Sequence, residues 1–182
     1  MKVIVTGGKG FIGSHLVDRL IDRGEQVHVI DDESANNEKF YENPKATYYK
    51  KDICEQHQIA KIFAGTEVVF HLAAESRIGP CIENPSQAVH TNVVGTCNLL
   101  ELSRLHGIGR FVYSSTSACY GLTNTPPYTE DMPRDCLNPY SVTKLAGEDL
   151  VLMYYKLYGL PTVALRYFNV FGERAPSRGP YA

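Results

Sequence analysis

Val3-Ile-Val-Thr6, then Gly7-Gly-Lys-Gly10-Phe-Ile-Gly13, an apolar-periodic stretch through Ile21, Val27-His-Val-Ile30 and Asp31 make up the segment whose reading decides the fold. In order these read as strand, glycine turn, helix, strand and acid. Gly7, Gly10 and Gly13 repeat every third residue, with Gly8 as an extra glycine. Glycine is required where a turn is tight, where backbone approaches a diphosphate and where a helix start packs on a strand. The free N–H groups and the dipole at the helix start then favour that diphosphate. Asp31 follows Gly13 by 18 residues, at the end of the second strand, where a carboxylate can accept from adenosine ribose hydroxyls. A glycine triplet alone marks any βα turn; strand, turn, helix, strand and acid in register point to dinucleotide binding.

Working outward, apolar runs alternate with helical patterns along the chain. Asp32-Glu-Ser-Ala-Asn-Asn37 is a polar loop on the adenosine side. Strands are expected at 46–49, 67–71, 110–114 and 162–167, a short helix at 55–63 and long helices at about 86–106 and 140–158. Gly79, Pro80 and Pro85 mark a loop between residue 71 and the first long helix. Strands separated by helices imply parallel crossovers and an α/β, doubly wound parallel sheet of the Rossmann type. Ligands bind beyond the carboxyl ends of such strands. One domain is expected over residues 1–170, with an irregular tail at 171–182.

The chain has 182 residues, a hydrophobic fraction of 43%, a charged fraction of 21% and a net charge of −2. These values fit a globular protein and give no electrostatic reason to expect nucleic acid or an anionic membrane as partner. No apolar run approaches the roughly 20 residues of a membrane span, and the chain enters a strand without signal-peptide features, so a cytoplasmic location is expected. Cys54, Cys81, Cys97, Cys119 and Cys136 form no C-x-x-C pair and read as reduced packing residues. His71 ends an apolar strand and reads as a structural histidine, and no metal is expected.

Tyr140-Ser-Val-Thr-Lys144 places a tyrosine and a lysine four apart on one helix face. Free tyrosine has a pKa near 10; a neighbouring ammonium and an oxidised nicotinamide would favour the phenolate. Such a pair is also common on solvated helix surfaces. Ser114-Ser-Thr-Ser-Ala-Cys-Tyr-Gly121 begins at the end of the fifth strand, where hydroxyls can hold a substrate oxygen or simply cap a turn. No G-x-S-x-G elbow supports a hydrolase.

The segments at 6–13, Asp31, Asp52-Ile53, His71-Leu-Ala-Ala74, Asn92-Val-Val-Gly-Thr96, Ser114-Ser-Thr116, Tyr140-x-x-x-Lys144 and Arg166-Tyr-Phe-Asn169 occur together and in family order. Together they resemble the extended short-chain dehydrogenase/reductases, in the NAD-dependent epimerase/dehydratase branch, and within it the nucleotide-sugar 4-epimerases acting on UDP-glucose or UDP-N-acetylglucosamine. The resemblance implies NAD as cofactor, contacted by Gly7, Gly10, Phe11, Ile12 and Gly13 at the turn. It implies Asp31, Asp32, Asn36, Asp52 and Ile53 around the adenosine, and Leu72, Ala73, Ala74, Asn92, Ser114 and Tyr167 along the rest. Phe168 would lie with Tyr167 by the nicotinamide. Tyr140 would be the base, Lys144 its electrostatic partner and Thr116 a catalytic hydroxyl. Ser76, Thr116, Tyr140 and Asn169 would meet a nucleotide-sugar substrate.

Two departures bear on the reaction. The resembling 4,6-dehydratases carry an acid just after the catalytic threonine; here Ser117 and Ala118 stand there. Lys9 could contact a 2′-phosphate and imply NADP, but Asp31 would repel that phosphate, so NAD is expected. The resemblance also implies a smaller C-terminal substrate domain, which should start where this chain stops at Arg178-Gly-Pro-Tyr-Ala182. A fragment, a minimal form completed by a partner chain, a non-catalytic NAD-binding module and a keto-sugar reductase all stay open. The resemblance also implies a homodimer in which the two long helices pair with their counterparts.

Overall fold

The computed structural model describes residues 1–35 and 40–175. Its strands are β1 (Lys2–Thr6), β2 (Gln26–Asp31), β3 (Thr47–Lys50), β4 (Val68–His71), β5 (Arg110–Thr116) and β6 (Thr162–Tyr167). They form one sheet in the order β3-β2-β1-β4-β5-β6, all neighbours parallel. Val3 opposes Val27 on one side and Val68 on the other, and Phe111 opposes Val69 and Thr162. The strand order reverses between β1 and β4, so a crevice opens at their carboxyl ends.

The strand period of two divides the core into two layers. Val3, Val5, Val27 and Val29 pack on Val17 and Leu20 of α1 (Phe11–Asp22). Ile4, Ile30, Val69 and Phe111 face the opposite layer, with Leu99, Val151 and other apolar side chains of the long helices. The sheet is therefore covered on both faces, as the sequence pattern predicts.

The helices differ from expectation at two places. Residues 78–83, expected in a loop, form α3 (Ile78–Glu83). Pro80 lies in its first turn, where an N–H has no intrahelical acceptor, so the ring removes no bond. The expected helix at 86–106 is divided into α4 (Pro85–Val89), a π-helical segment (His90–Gly95) and α5 (Thr96–Leu105). Asn84 caps it by accepting from the Gln87 N–H at 3.2 Å. The wide turn coincides with Asn92, whose side chain is buried and bonded to two neighbouring elements, and with Gly95, where a Cβ would lie 2.6 Å from Ile53 Cδ1. The short helix expected at 55–63 is α2 (Gln56–Ile59) followed by a 3₁₀ turn (Ala60–Phe63).

The other long helix, α6 (Pro139–Tyr158), runs as expected. Asn138 and Ser141 form a capping box at its start, and Gly159 ends it in the left-handed conformation at φ 68°.

Candidate active site at the carboxyl ends of the strands

The glycine turn is shaped by contacts no side chain could share. Gly7 has φ +70°, and a Cβ on it would lie 2.7 Å from Ala73 N; one on Gly13 would lie 2.2 Å from Gly7 O. Gly10 is less tight, its Cβ position being 3.2 Å from Gly7 O. Gly8, extra to the spacing, is a packing glycine: a Cβ there would sit 2.6 Å from Val29 Cγ1. Gly10 caps α1 without a side-chain bond, and the first turn holds no acid. Its amides, including those of Phe11 and Ile12, are thus compatible with a diphosphate.

Asp31 ends β2 nearly buried. Its Oδ2 accepts from Lys9 N–H and its Oδ1 from Glu33 N–H, both at 2.9 Å. Burial pushes its carboxyl pKa up, partly opposed by those two bonds. Each oxygen keeps a lone pair for a ribose hydroxyl. Asp32 is exposed and accepts from Ser34; Asn36 lies outside the described residues.

On the next loop Asp52 Oδ1 accepts from Cys54 N–H at 2.8 Å. Ile53 is buried against Gly95, and Asn98 Nδ2 donates to the carbonyls of Ile53 and Cys54. Helix α5 therefore fixes the Asp52–Ile53 corner. The Cys54 thiol is pushed up to about 12, first by burial and then by Asp52, which keeps it protonated.

Behind the turn, one chain of hydrogen bonds sets its own direction. Thr96 Oγ1 donates to Asn92 O at 2.6 Å, so it accepts from His71 Nε2 at 2.9 Å. His71 Nδ1 must then accept from Thr6 Oγ1 at 2.8 Å, which in turn accepts from Ala73 N–H at 3.2 Å. His71 is a satisfied structural histidine, held neutral by burial and by the nearby Lys144 charge, which lower its pKa well below the ordinary value. Asn92 is wholly engaged within the protein. Its Oδ1 accepts from Glu75 N–H, and its Nδ2 donates to Glu75 O and Thr143 Oγ1 at 3.0 Å. It thus ties the segment containing Leu72, Ala73 and Ala74 to α6. Ser76, on the same segment, is exposed.

At the end of β5, Ser114 and Thr116 are buried, and Thr116 Oγ1 accepts from Ala118 N–H at 3.1 Å, leaving its hydroxyl proton to donate. Tyr140 stands in the first turn of α6, half-buried, within electrostatic reach of Tyr113. One turn on, Lys144 is 4% exposed, with Nζ 4.4 Å from the Tyr113 ring centroid. Tyr113 Oη donates to Lys144 O at 3.0 Å, an approach open because residue 147 is glycine: a Cβ there would lie 2.2 Å from Tyr113 Oη. Burial lowers the Lys144 pKa to about 7. Among the described residues Lys144 has no ion-pair partner.

Sequence reasoning missed what lies one turn further. Glu148 is buried; Ser115 Oγ donates to it at 2.6 Å, and Arg166 Nη2 and Nε donate at 2.7 and 3.2 Å. Burial works against its charge, but Arg166 and Ser115 outweigh it and hold its pKa below the ordinary value. The continued four-residue step from Tyr140 through Lys144 was the available signal. Arg166 also donates to Tyr120 Oη and Glu130 O. Tyr167, half-buried, and exposed Asn169 follow it. Phe168 stacks with Tyr120 and Tyr128, with ring centroids 6.0 and 5.7 Å apart.

The described part of the tail crosses α1. His15 Nε2 donates to Glu173 O at 2.7 Å, and Arg174 pairs with Asp18 at 2.8 Å.

Comparison with known proteins agrees with this layout. The profile of the family described as GDP-mannose 4,6 dehydratase matches residues 4–181. UDP-glucose 4-epimerase of Corynebacterium glutamicum is 38% identical over 172 residues, which are 94% of this chain and 52% of that protein. The chain is similar to the crystal structure of UDP-glucose 4-epimerase of Thermotoga maritima with UDP-glucose, at a TM-score of 0.91 and 36% identity, covering 96% of this chain and 57% of that one. Against the Thermus thermophilus UDP-glucose 4-epimerase complex with NAD the TM-score is 0.91 at 33% identity, over 100% and 59%. The chain spans about half the length of the curated relatives it matches.

Proposed function

The chain belongs to the GDP-mannose 4,6 dehydratase family of NAD-dependent nucleotide-sugar epimerases and dehydratases, and from that premise we propose that it is the NAD-binding part of a nucleotide-sugar 4-epimerase. Residues 1–170 are the dinucleotide-binding domain in this reading, and residues from 171 lead out of it. The observation that carries the reading is Lys144. A lysine buried without an ion-pair partner among the described residues costs stability. That cost has a use if the ammonium serves the phenol one turn before it.

The residues fit the cofactor. The Gly7–Gly13 cradle, which a Cβ would fill, and the uncapped start of α1 suit a diphosphate, and Asp31 suits the adenosine ribose. NAD held by the Gly7–Gly13 turn and Asp31 would supply a reversible hydride acceptor for C4 of the sugar. Tyr140 takes the C4 hydroxyl proton and later gives it back. Thr116, its hydroxyl proton free to donate, holds the same sugar oxygen, and Lys144 stabilises the phenolate electrostatically. In this reading Ser114 and Tyr167 would contact the cofactor, and Ser76 and Asn169 would meet the nucleotide-sugar substrate.

The family description favours a 4,6-dehydratase as a second reading. Against it, Ser117 and Ala118 follow Thr116, and neither can act as the acid that elimination of water needs. The homodimer is also proposed: Val89 and Val94 on the segmented helix and Val142, Leu152 and Tyr155 on α6 are exposed apolar side chains suited to a helical interface. Sedimentation velocity of the chain tests it, a monomer at micromolar concentration being the opposing result. Among the described residues no helix is long and apolar enough to cross a membrane.

The enzymatic test combines NAD titration with a UDP-glucose to UDP-galactose assay of wild type and Tyr140→Phe. Tyr140→Phe is expected to bind NAD as wild type does and to lose turnover. Wild-type epimerisation by that variant would remove the proposed base, and NAD retention without turnover in wild type would favour a binding module.

A further inference from the structure

Lys9 lies inside the glycine turn, immediately before Gly10, yet its side chain is only 8% exposed. Its ammonium is ion-paired with Glu33, on the loop after β2, and with Glu42. The Phe40 and Tyr48 rings flank it, their centroids at 6.0 and 5.5 Å. Glu33 bridges onward to Lys50 at 2.5 Å. The backbone holds the same arrangement, because Asp31 accepts from the N–H groups of both Lys9 and Glu33. Burial works against the ammonium, but its bonds to Glu33 and Glu42 outweigh that and raise its pKa, so it stays charged.

This cation stands beside the carboxylate to which the proposed function gives the adenosine ribose. A cation there is the chemistry that would receive a phosphate on that ribose. In this fold it is already satisfied twice. Among the described residues around it, Asp31, Asp32, Glu33 and Glu42 stand against Lys9 and Lys50, so their balance is negative.

We infer that Glu33 and Glu42 sequester Lys9 and so make the turn select the dinucleotide without a 2′-phosphate, Lys9 being a latent phosphate receptor. The inference rests on the dinucleotide reading and adds two selecting residues, Glu33 and Glu42, to Asp31. Neither glutamate touches the cofactor in this account; both act through Lys9.

The test is equilibrium binding of NAD and NADP to the full chain by calorimetry at fixed ionic strength. The variants are Glu33→Gln, Glu42→Gln, both together, and Lys9→Met in the wild-type and doubly substituted backgrounds. Wild type is expected to prefer NAD. Each single substitution should raise NADP affinity relative to NAD about fivefold and the pair about thirtyfold, the size expected for removing charges that act on a phosphate dianion across partly solvated space. Adding Lys9→Met to the double variant should abolish most of that gain. An unchanged NADP-to-NAD ratio in the double variant, or a gain that survives Lys9→Met, overturns the inference. Should the double variant not fold, the Glu42→Gln chain decides, since that side chain is half-exposed and its ratio must still move. A wild-type chain that binds neither dinucleotide overturns the dinucleotide reading itself and this inference with it, a result separate from the other two.

Discussion

Removing the Glu148 carboxylate is the sharpest perturbation of the architecture behind the site. In Glu148→Ala the Arg166 guanidinium, whose side chain is 12% exposed, loses its two bonds to the carboxylate, and Ser115 loses its acceptor. Breaking a buried pair from one side costs about 3–5 kcal/mol, because the remaining charge stays desolvated. That is a large share of the roughly 5–15 kcal/mol that holds a domain folded. For a chain of this size it corresponds to a fall in Tm of roughly 6–20 °C. Urea unfolding followed by circular dichroism measures it, with the midpoint moving and the slope unchanged. Replacing both partners, as Glu148→Ala with Arg166→Met, should cost less than Glu148→Ala alone, since no orphan charge remains. The sign with pH follows from the depressed carboxyl pKa. The stabilisation is complete above the unfolded value near 4.5 and is lost as pH falls through the lower folded value, so Glu148→Gln should flatten the acid limb of the wild-type stability curve. A loss under about 1 kcal/mol for Glu148→Ala, the range of exposed ion pairs, would refute the reasoning.

Three further outcomes are expected. Gly13→Ala places a Cβ 2.2 Å from Gly7 O, so strain of about 1–3 kcal/mol should appear as roughly ten- to hundredfold weaker NAD binding by calorimetry; wild-type affinity would contradict the tight cradle. Lys144→Met should be more stable than wild type at pH 6 by about a few kcal/mol, because wild-type stability falls as pH drops from about 10 to about 7, where the buried amine takes up its proton; parallel stability curves for the two proteins would show that Lys144 is not strained by burial. Asn92→Ala orphans Glu75 N–H and takes one donor each from Glu75 O and Thr143 Oγ1, which keep Cys81 Sγ and Tyr140 O as partners; it should cost about 1–3 kcal/mol in urea unfolding and speed hydrogen exchange at Glu75.

The sheet was legible because each strand is an apolar run with a period of two, and each crossover has a turn signal at both ends. The glycine turn was legible for a sharper reason: three of its glycines meet backbone within 3.2 Å of where a Cβ would be, so the residue type is dictated by space. Two features were not legible. Pro80 signals a break in sequence, yet in the first helical turn it removes nothing, so a helix forms where the sequence pattern reads as loop. The π segment has no local signature, since its cause is tertiary: Gly95 must pass Ile53, and Asn92 must reach both Glu75 and Thr143. Within the candidate site, Tyr140 and Lys144 are linked by their four-residue spacing, whereas Thr116 stands out through the family resemblance alone. The neutral state of His71 and the capture of Lys9 depend on partners 24 or more positions away along the chain, such as Thr96, Glu33 and Glu42.

Helix α6 shows how one element can hold three such residues with different fates. Tyr140, Lys144 and Glu148 are spaced by four on a helix of 3.6 residues per turn, so each successive side chain is rotated by about 40°. The first stands at the mouth of the strand ends. The second has turned onto the Tyr113 ring and lies buried as a cation without an ion pair among the described residues. The third has turned further, into Ser115 and Arg166, where a buried anion is fully paired. The paired charge locks β5 and β6 to the helix, while the unpaired one costs stability. A fold shaped only for stability would pair or delete Lys144. The arrangement makes sense if the rigidity supplied at Glu148 offsets a destabilising ammonium kept one turn from Tyr140 for chemistry.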